Sequence, residues 1–316
     1  MITYRVHWLS VTIWTTFPNI LKIWHEQFEP IFGSLINLKH GGRGFRSLHK
    51  SIAGIQIYSE PINISQDQDA YISMSIPGDA CDALDVQFLH EFIKFIDGKY
   101  RTNVTRLDMA FDHVPFTPEQ FSQALDADKV RTYAKRESFT IISSPYQPQE
   151  EGNGVGCDTV QVGKRQSERI LRVYNKRGFT RVELEAKQKR ADGIAKDVML
   201  KDPDNWGKLF MGHLRDFIDL VEDKDTGMLV DFWAEFVNSI PRAALTVTDP
   251  RKVEIDRMMG WMYYGVAPAL SAVYDRFGED EIEEIIKLGR ENRGERYDLI
   301  LPDEKKRNKG DYYDEE

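Results

Sequence analysis

The sequence predicts an α+β fold, in which antiparallel sheets have helices packed on one face and are followed by a mainly helical C-terminal segment. Two observations predict it. Strand-like and helical patterns follow each other through the first part of the chain in the order strand, helix, strand, strand, helix, strand. From about residue 202, apolar residues instead recur at helical spacing in one run after another.

The first elements follow from periodicity. The run ITYRVHWLSVTI is rich in β-branched and aromatic residues and predicts a strand, and FPNILKIWHEQFEPIF has apolar residues at a helical period. A glycine-rich turn leads into FRSLHKSIAGIQIYSE and YISMSIPG, two strand-like runs that should pair in an antiparallel sheet. The run CDALDVQFLHEFIKFIDGKY predicts a helix that ends at Gly98.

A capping box marks the helix that follows the strand-like run VTRLDMAFDH. Pro118 comes directly after Thr117, and Gln120 lies three positions after Thr117. This spacing is typical of a helix start. Beyond a loop rich in proline, glycine and acidic residues at 145–158, the runs DTVQVGK, RILRVYNK and RVELEAK predict three strands, the last leading into a basic helix.

The late runs predict helices: WGKLFMGHLRDFIDLV, DFWAEFVNSI, IDRMMGWMYYGVAPALSAVYDRFG and EDEIEEIIKLGREN. We expect the aromatic stripe with Trp261, Tyr263 and Tyr264 to be helix core rather than a platform for stacked bases. The elements together predict an α+β domain at 1–200, a helical C-terminal region at 201–301 and a disordered tail at 302–316.

Composition excludes several classes. The 316 residues are 41% hydrophobic, as in ordinary globular proteins, and no run reaches the roughly 20 apolar residues that cross a bilayer. The N-terminal residues lack the pattern of a secretion signal, so we expect a cytoplasmic protein without membrane partners. Cys81 and Cys157 fit no metal-ligand spacing and predict two reduced thiols.

The charge distribution favours a nucleic-acid partner more than the net charge does. The net charge of −9 argues against phosphate binding. Between Lys164 and Arg190, however, ten basic residues stand against three acidic ones, whereas from residue 201 onward 17 basic residues stand against 27 acidic ones. A local basic strip within an acidic protein is typical of phosphate recognition at one place.

Three strand segments carry charged residues at alternate positions, which lie on one face of a sheet. These positions are Arg106, Asp108 and Asp112 in the first segment, Arg172, Tyr174 and Lys176 in the second, and Arg181, Glu183 and Glu185 in the third. If the strands are neighbours, one surface displays a tyrosine, carboxylates and cations. The competing interpretation is a solvated face on which Tyr174 is an ordinary cross-strand aromatic.

Such a surface suits phosphoryl transfer. Carboxylate oxygens are the ligands that Mg²⁺ and Mn²⁺ prefer, and an ion held by them would polarise a phosphodiester. A phenol held beside cations should lose its proton more easily and can then attack phosphorus.

The order of TRLDMAFD, TVQVGKRQSERILRVYNK and RVELEAK resembles the replication initiation factor family, the Rep-trans group of plasmid rolling-circle initiators, which has relatives among phage initiators and conjugative nicking proteins. GRGFRSLHKSIAGIQIY and YISMSIPG look like the glycine-rich N-terminal strands of that family. This chain departs from it at Ile76, Pro77 and Gly78, where relatives often have Gly-x-Gly. The likeness runs from about residue 40 to 290.

The resemblance implies that Tyr174 is the nucleophile, which becomes linked to a DNA 5′ phosphate and leaves a 3′ hydroxyl as primer. It further implies that Arg172 and Lys176 flank the phosphate and that Asp108 and Glu183 hold Mg²⁺ or Mn²⁺, with Asp112 as a third ligand. The residues expected to contact DNA are Gly163, Lys164, Arg165, Arg169, Arg106, Arg181, Arg43 and Arg46.

The implied activity is site-specific nicking of origin DNA, as a hairpin or a single-stranded nick site, by the domain at 1–200. A homodimer and docking of a host helicase stay open. Three alternatives also stay open: a conjugative or mobile-element relaxase with the same chemistry, a non-catalytic DNA-binding regulator on the same fold, and a metal-dependent nuclease in which water attacks.

Overall fold

The computed structural model describes residues 1–38, 40–63, 70–142, 159–176, 178–239, 242–243, 258–259 and 261–293. The chain forms two compact units: the first is Met1–Trp14 with Ser73–Val247, and the second is Thr15–Ile72 with Thr248–Glu316. The boundaries of these units differ from those of the predicted domains. Residues 201–247, predicted as part of a separate helical region, belong to the first unit. The predicted loop at 145–158, Cys157 and the predicted tail at 302–316 lie outside the described residues.

In chain order the described strands are β1 (Thr3–Ile13), β2 (Ile36–Leu38), β3 (Phe45–Lys50), β4 (Gln56–Pro61), β5 (Ile72–Ile76), β6 (Thr102–Asp112), β7 (Val130–Thr132), β8 (Phe139–Ile142), β9 (Thr159–Val162), β10 (Arg169–Lys176), β11 (Phe179–Lys187), β12 (Ile218–Asp223), β13 (Met228–Leu229) and β14 (Arg242–Ala243). The described α-helices are α1 (Phe17–Ile23), α2 (Glu29–Phe32), α3 (Gly78–Cys81), α4 (Val86–Lys99), α5 (Pro118–Asp126), α6 (Gln188–Val198), α7 (Trp206–Phe217), α8 (Asp231–Asn238), α9 (Ala267–Phe277) and α10 (Glu279–Glu291). Two π-helical turns, Trp24–Phe28 and Met262–Val266, precede α2 and α9.

The sheet of the first unit has the strand order β5-β1-β6-β11-β10-β9-β8. Every pair from β1 to β8 along this order is antiparallel, and β14 adds a short parallel bridge to β1. The predicted antiparallel α+β fold is therefore confirmed. Alternation separates the faces of the central strands, since Leu107, Met109 and Phe111 on β6 and Val182 and Leu184 on β11 have no exposed surface.

The longer helices of this unit cover the apolar face of its sheet. Helix α6 packs on β6 and β11, and α5 packs on β9 and β10. Helix α5 begins with the predicted capping box, in which Thr117 and Gln120 bind each other's backbone N–H groups. Large aromatic side chains fill the core behind it, including Phe121, Trp233 and Phe236, which contact one another.

One predicted helix is partly a strand. The run WGKLFMGHLRDFIDLV forms α7 only as far as Phe217, and the residues from Ile218 onward form β12, which pairs with β7 and β13. The change coincides with strand pairing, since Ile218–Leu220 pair with β7. Asp219 is buried on β12 and accepts hydrogen bonds from Arg215 and from the indole of Trp233.

The second unit contains α1 and α2, the β2-β3-β4 strands, and the described helices α9 and α10. The run FRSLHKSIAGIQIYSE was predicted as one strand and is a hairpin of β3 and β4, because Gly54 turns the chain with a φ of 86°. Trp261 and Tyr263, predicted as helix core, are 61% and 64% exposed. Within the described ranges, the structure contains no helix with both the length and the apolar character of a membrane span.

The core assignment predicts a stability difference. Replacing the fully buried Leu184 by Ala should lower the free energy of unfolding by about 2–5 kcal/mol, because the lost side chain leaves a cavity between sheet and helices. The same change at Ile141, which is 57% exposed on β8, should alter it by only about 0.5 kcal/mol. Denaturant unfolding followed by circular dichroism measures both; equal losses would contradict this position of the core.

Candidate active site

The strand register brings the three predicted polar segments together. On β10 and β11, Tyr174 pairs with Arg181 and Arg172 pairs with Glu183. On β11 and β6, Arg181 pairs with Asp112. Because residues directly opposite each other in a sheet point to the same side, these side chains share one surface. This surface, the face of β6, β10 and β11 that points away from α6, is called the polar face below.

The hydroxyl of Tyr174 donates a hydrogen bond of 2.8 Å to Oε2 of Glu183. The tyrosine is half-buried. Burial and the charge of Glu183 raise the pKa of this phenol above its ordinary value, although Arg181 opposes them. The sequence-based expectation of an easily ionised phenol is thus wrong for the protein alone, because burial and the negative charge of Glu183 together outweigh Arg181.

Three buried carboxylates lie on the polar face and are held by arginines. Arg106 donates to both oxygens of Asp108, at 2.9 and 2.6 Å. Arg172 donates to Glu183 at 3.2 Å and to Glu185 at 2.8 Å. Burial raises the pKa of Asp108 to about 6 against the effect of Arg106, and the charges of Glu183 and Glu185 add to the rise. The crowding of negative charge is therefore only partly relieved by the arginines.

Asp112 differs from these three carboxylates because it belongs to a closed ion pair. Arg181 donates to both of its oxygens, and both side chains are 1% exposed. The Nε atom of Arg5 lies 3.0 Å from Asp112 as well. Although burial works against it, Arg181 holds the pKa of Asp112 below its ordinary value. With its oxygens bound to arginines, Asp112 is the least suited of the three predicted metal ligands.

The donor chemistry of the polar face suits a hard divalent cation, since Asp108 and Glu183 are buried carboxylates near one another in the register. As the side chains are placed, no three His, Cys, Asp or Glu residues of the described part of the chain are grouped to hold an ion. The reason is visible in the contacts, because Arg106 and Arg172 occupy carboxylate oxygens that an ion would use.

The residues predicted to contact DNA have different surroundings. Lys164 and Arg165 are exposed in the turn between β9 and β10, where Gly163 has a φ of 108°. Arg169 pairs with Asp216 and lies over the Phe217 ring.

Arg106 lies over the ring of Trp8 with its guanidinium carbon 4.2 Å from the ring centroid. Arg181, predicted to contact DNA, is instead buried with Asp112, because that carboxylate draws it inward. Arg43 and Arg46 are exposed in the second unit, where Arg43 lies over the ring of Tyr58.

The sequence reading missed three residues that lie beside the polar face. Arg5 and His7 come from β1, and Asp82 comes from the end of α3. Arg5 donates to Asp82 at 2.9 Å. The two ring nitrogens of His7 lie 3.8 Å from Asp82 and 3.8 Å from Glu183. The alternation of Arg5 and His7 in the first strand-like run was the available signal, but nothing in the run indicates which strand lies next to it.

The fold and this surface define an α+β protein with a tyrosine, buried carboxylates and arginines gathered on one side of an antiparallel sheet. The family model described as replication initiation factor matches residues 102–287, which is more than half of the 316 residues. The chain belongs to this family. The matched segment contains β6, β10 and β11 and thus most of the polar face.

A solved structure has the same fold. It is described as a rolling circle replication initiator protein from Geobacillus stearothermophilus, and the match has a TM-score of 0.60. It covers 77% of this chain and 99% of that chain, with 20% sequence identity. No curated protein matches the chain.

The Asp112–Arg181 pair predicts a strong effect on stability. Asp112→Asn should lower the free energy of unfolding by about 3–5 kcal/mol, because it leaves the Arg181 charge buried without its partner. The control is Glu168→Ala, which removes an exposed carboxylate 3.9 Å from Arg190 and should cost less than about 1 kcal/mol. Denaturant unfolding of both variants checks the difference, and a loss at Asp112 as small as the control would contradict the closed pair.

Proposed function

We propose that the protein initiates rolling-circle replication by nicking origin DNA through tyrosine transesterification. The observation that carries the proposal is the Tyr174 hydroxyl, which lies 2.8 Å from Glu183 on the same surface as Asp108. Membership of the replication initiation factor family and the likeness in fold to a rolling-circle initiator support it. A nucleophile beside buried carboxylates and arginines is the arrangement that phosphoryl transfer requires.

In the proposed reaction, the oxygen of Tyr174 attacks a phosphodiester phosphorus. A bond forms between that oxygen and phosphorus, and the bond from phosphorus to the 3′ oxygen of the preceding nucleotide breaks. The phenol gives up its hydrogen bond to Oε2 of Glu183 and releases its proton to water, and the departing 3′ oxygen takes up a proton. The products are a 5′-phosphotyrosine link and a free 3′ hydroxyl, and the reverse reaction closes the strand.

We further propose that Asp108 and Glu183 hold a divalent cation, Mg²⁺ or Mn²⁺. When bound, such an ion would polarise the phosphodiester and favour ionisation of a nearby phenol. Arg106 and Arg172, which hold the two carboxylates here, would then be free in part to bind DNA phosphates.

The remaining cations have roles in positioning. Lys176 follows Tyr174 on the same side of β10 and is half-buried, and burial and Arg181 lower its pKa below the ordinary value. Together with Arg172 it would flank the attacked phosphate. Lys164 and Arg165, exposed in the turn before β10, would contact the DNA backbone and set its position without reading bases.

The proposed partner is origin DNA, as a hairpin or a single-stranded nick site, and the proposed location is the cytoplasm, where such DNA replicates. A homodimer and a host helicase stay open as partners. A relaxase would use the same residues in the same way, so the nicking chemistry is the part of the proposal that the polar face supports.

Removing one oxygen atom tests the nucleophile. Tyr174→Phe should abolish the covalent protein–DNA adduct, a loss of at least about 10³-fold in nicking, because it removes the oxygen that would attack phosphorus. Binding of origin DNA should persist. The assay is a supercoiled plasmid with the native origin, resolved on denaturing gels, with Tyr133→Phe as a control because Tyr133 is 87% exposed. Undiminished adduct in the Tyr174 variant would contradict the assignment of Tyr174 as the nucleophile. Free 5′ phosphates without adduct would indicate attack by water.

Removing the ion tests the metal. EDTA should stop nicking, and added Mg²⁺ or Mn²⁺ should restore it. Asp108→Asn should weaken Mn²⁺ binding by roughly 10- to 100-fold in calorimetry, since it removes a proposed ligand. Asp216→Asn, which alters an exposed carboxylate paired with Arg169, is the control and should bind Mn²⁺ as the natural protein does. Nicking that continues undiminished in EDTA would contradict a metal-dependent mechanism.

A further inference from the structure

His7 reaches the polar face through an irregularity of β1. Val6 pairs with Met109 and Trp8 pairs with Asp108, so His7 is an extra residue without a partner on β6. This is a β-bulge, a feature that re-aims a side chain and is frequent next to active sites. The bulge lies directly opposite Asp108, which is one of the two proposed metal ligands.

The imidazole of His7 fits into a niche made by Gly78. A Cβ atom on Gly78 would lie 2.5 Å from Cε1 of His7 and 2.9 Å from Nε2, closer than real contacts allow. The backbone of Gly78 does not have a positive φ, so the glycine is required for space and not for conformation. The niche therefore fixes the ring at this place, and any side chain at 78 would displace it.

Both ring nitrogens of His7 face carboxylates without reaching them. Nδ1 lies 3.8 Å from Oδ1 of Asp82, and Nε2 lies 3.8 Å from Oε2 of Glu183. Both distances exceed those of a hydrogen bond. Nδ1 is buried and has no hydrogen-bond partner among the described residues. A buried nitrogen without a partner destabilises a fold, and a small movement of the ring toward Asp82 would give Nδ1 an acceptor.

We propose that His7 is a nitrogen ligand of the divalent ion in the candidate active site. This inference rests on the proposed function, in which Glu183 and Asp108 hold that ion. Two ligand atoms with bonds of about 2.0–2.2 Å to one ion can be no more than about 4.4 Å apart, so the 3.8 Å between Nε2 and Oε2 of Glu183 lies within the limit for one shared ion.

The surroundings of Nδ1, the nitrogen on the side of the ring away from Glu183, also support a role of His7 as a metal ligand. A histidine that binds a metal through one nitrogen usually directs the other N–H toward a carboxylate, which fixes the ring and its tautomer. Asp82 stands on that side and is itself held by Arg5 at 2.9 Å. Asp82 is therefore on the side where a supporting carboxylate is expected, and the Nδ1–Asp82 distance of 3.8 Å would have to shorten when an ion binds Nε2.

A nitrogen ligand has a consequence for the choice of metal. Mg²⁺ strongly prefers oxygen ligands, whereas Mn²⁺ lies closer to the ions that accept imidazole and binds nitrogen-containing sites more tightly. With His7 in place, the protein should bind Mn²⁺ more tightly than Mg²⁺. Loss of the imidazole should narrow that difference, because the affinity for Mn²⁺ falls further than the affinity for Mg²⁺.

The test uses Mn²⁺ bound to the full-length chain and detects its ligands by pulsed electron paramagnetic resonance. The natural protein should show ¹⁴N coupling to Mn²⁺, and His7→Gln should lose it and bind Mn²⁺ at least about 10-fold more weakly. Gly78→Ala should have the same effect with the histidine still present, because it displaces the ring. The control is His213→Gln, since His213 is also half-buried and lies 3.6 Å from a single carboxylate, that of Asp197.

The outcomes separate this inference from the function on which it rests. Bound Mn²⁺ without ¹⁴N coupling, or with coupling unchanged in His7→Gln, would overturn the role of His7 and leave Asp108 and Glu183 as ligands. A natural protein that binds no Mn²⁺ would overturn both the metal site and this inference. The tyrosine adduct is measured independently of either result.

Discussion

The antiparallel register of β6, β11 and β10 is the constraint on which the candidate active site depends. It sets Tyr174 opposite Arg181 and Arg181 opposite Asp112, and it places Arg172 opposite Glu183. A slip of one residue between β10 and β11 would turn every one of these side chains to the other face. The apolar residues between them hold the register, since Val182 and Leu184 are fully buried against the helices.

The charges on the polar face are arranged in two different ways. Asp112 and Arg181 form a buried pair that joins β6 to β11 beside the tyrosine. Asp108 and Glu183 are instead bound by Arg106 and Arg172, whose side chains are 31% and 25% exposed. The first arrangement is suited to holding the site in shape. The second leaves the arginines partly accessible to solvent, as the proposed binding of an ion and a phosphate requires.

Much of the site could be predicted because alternation is a local property of the sequence. The runs RLDMAFD, ILRVYNK and RVELE show which residues share a face, and the three motifs in order resemble one family, so the meeting of Tyr174 with Glu183 followed from the pattern. The burial of Arg181 did not follow. An arginine reads as exposed, and only the position of Asp112 on the neighbouring strand draws it inward.

The rest could not be predicted because it depends on contacts between distant segments. His7 lies at a bulge in the pairing of β1 with β6 and packs against a glycine that lies 71 positions later in the chain, and neither contact can be inferred from the first strand alone. The strand character of Ile218–Asp223 depends in the same way on β7, which the chain places far upstream. Within the second unit, Gly54 divides a run whose composition alone predicts a single strand.

The central claim is that the oxygen of Tyr174 forms the bond to DNA, and the most direct measurement is the identity of the attached residue. After nicking, the adduct can be trimmed with nucleases, digested with a protease and sequenced by tandem mass spectrometry. We expect a 5′-linked nucleotide on the peptide that contains Tyr174. A nucleotide on any other residue would contradict it.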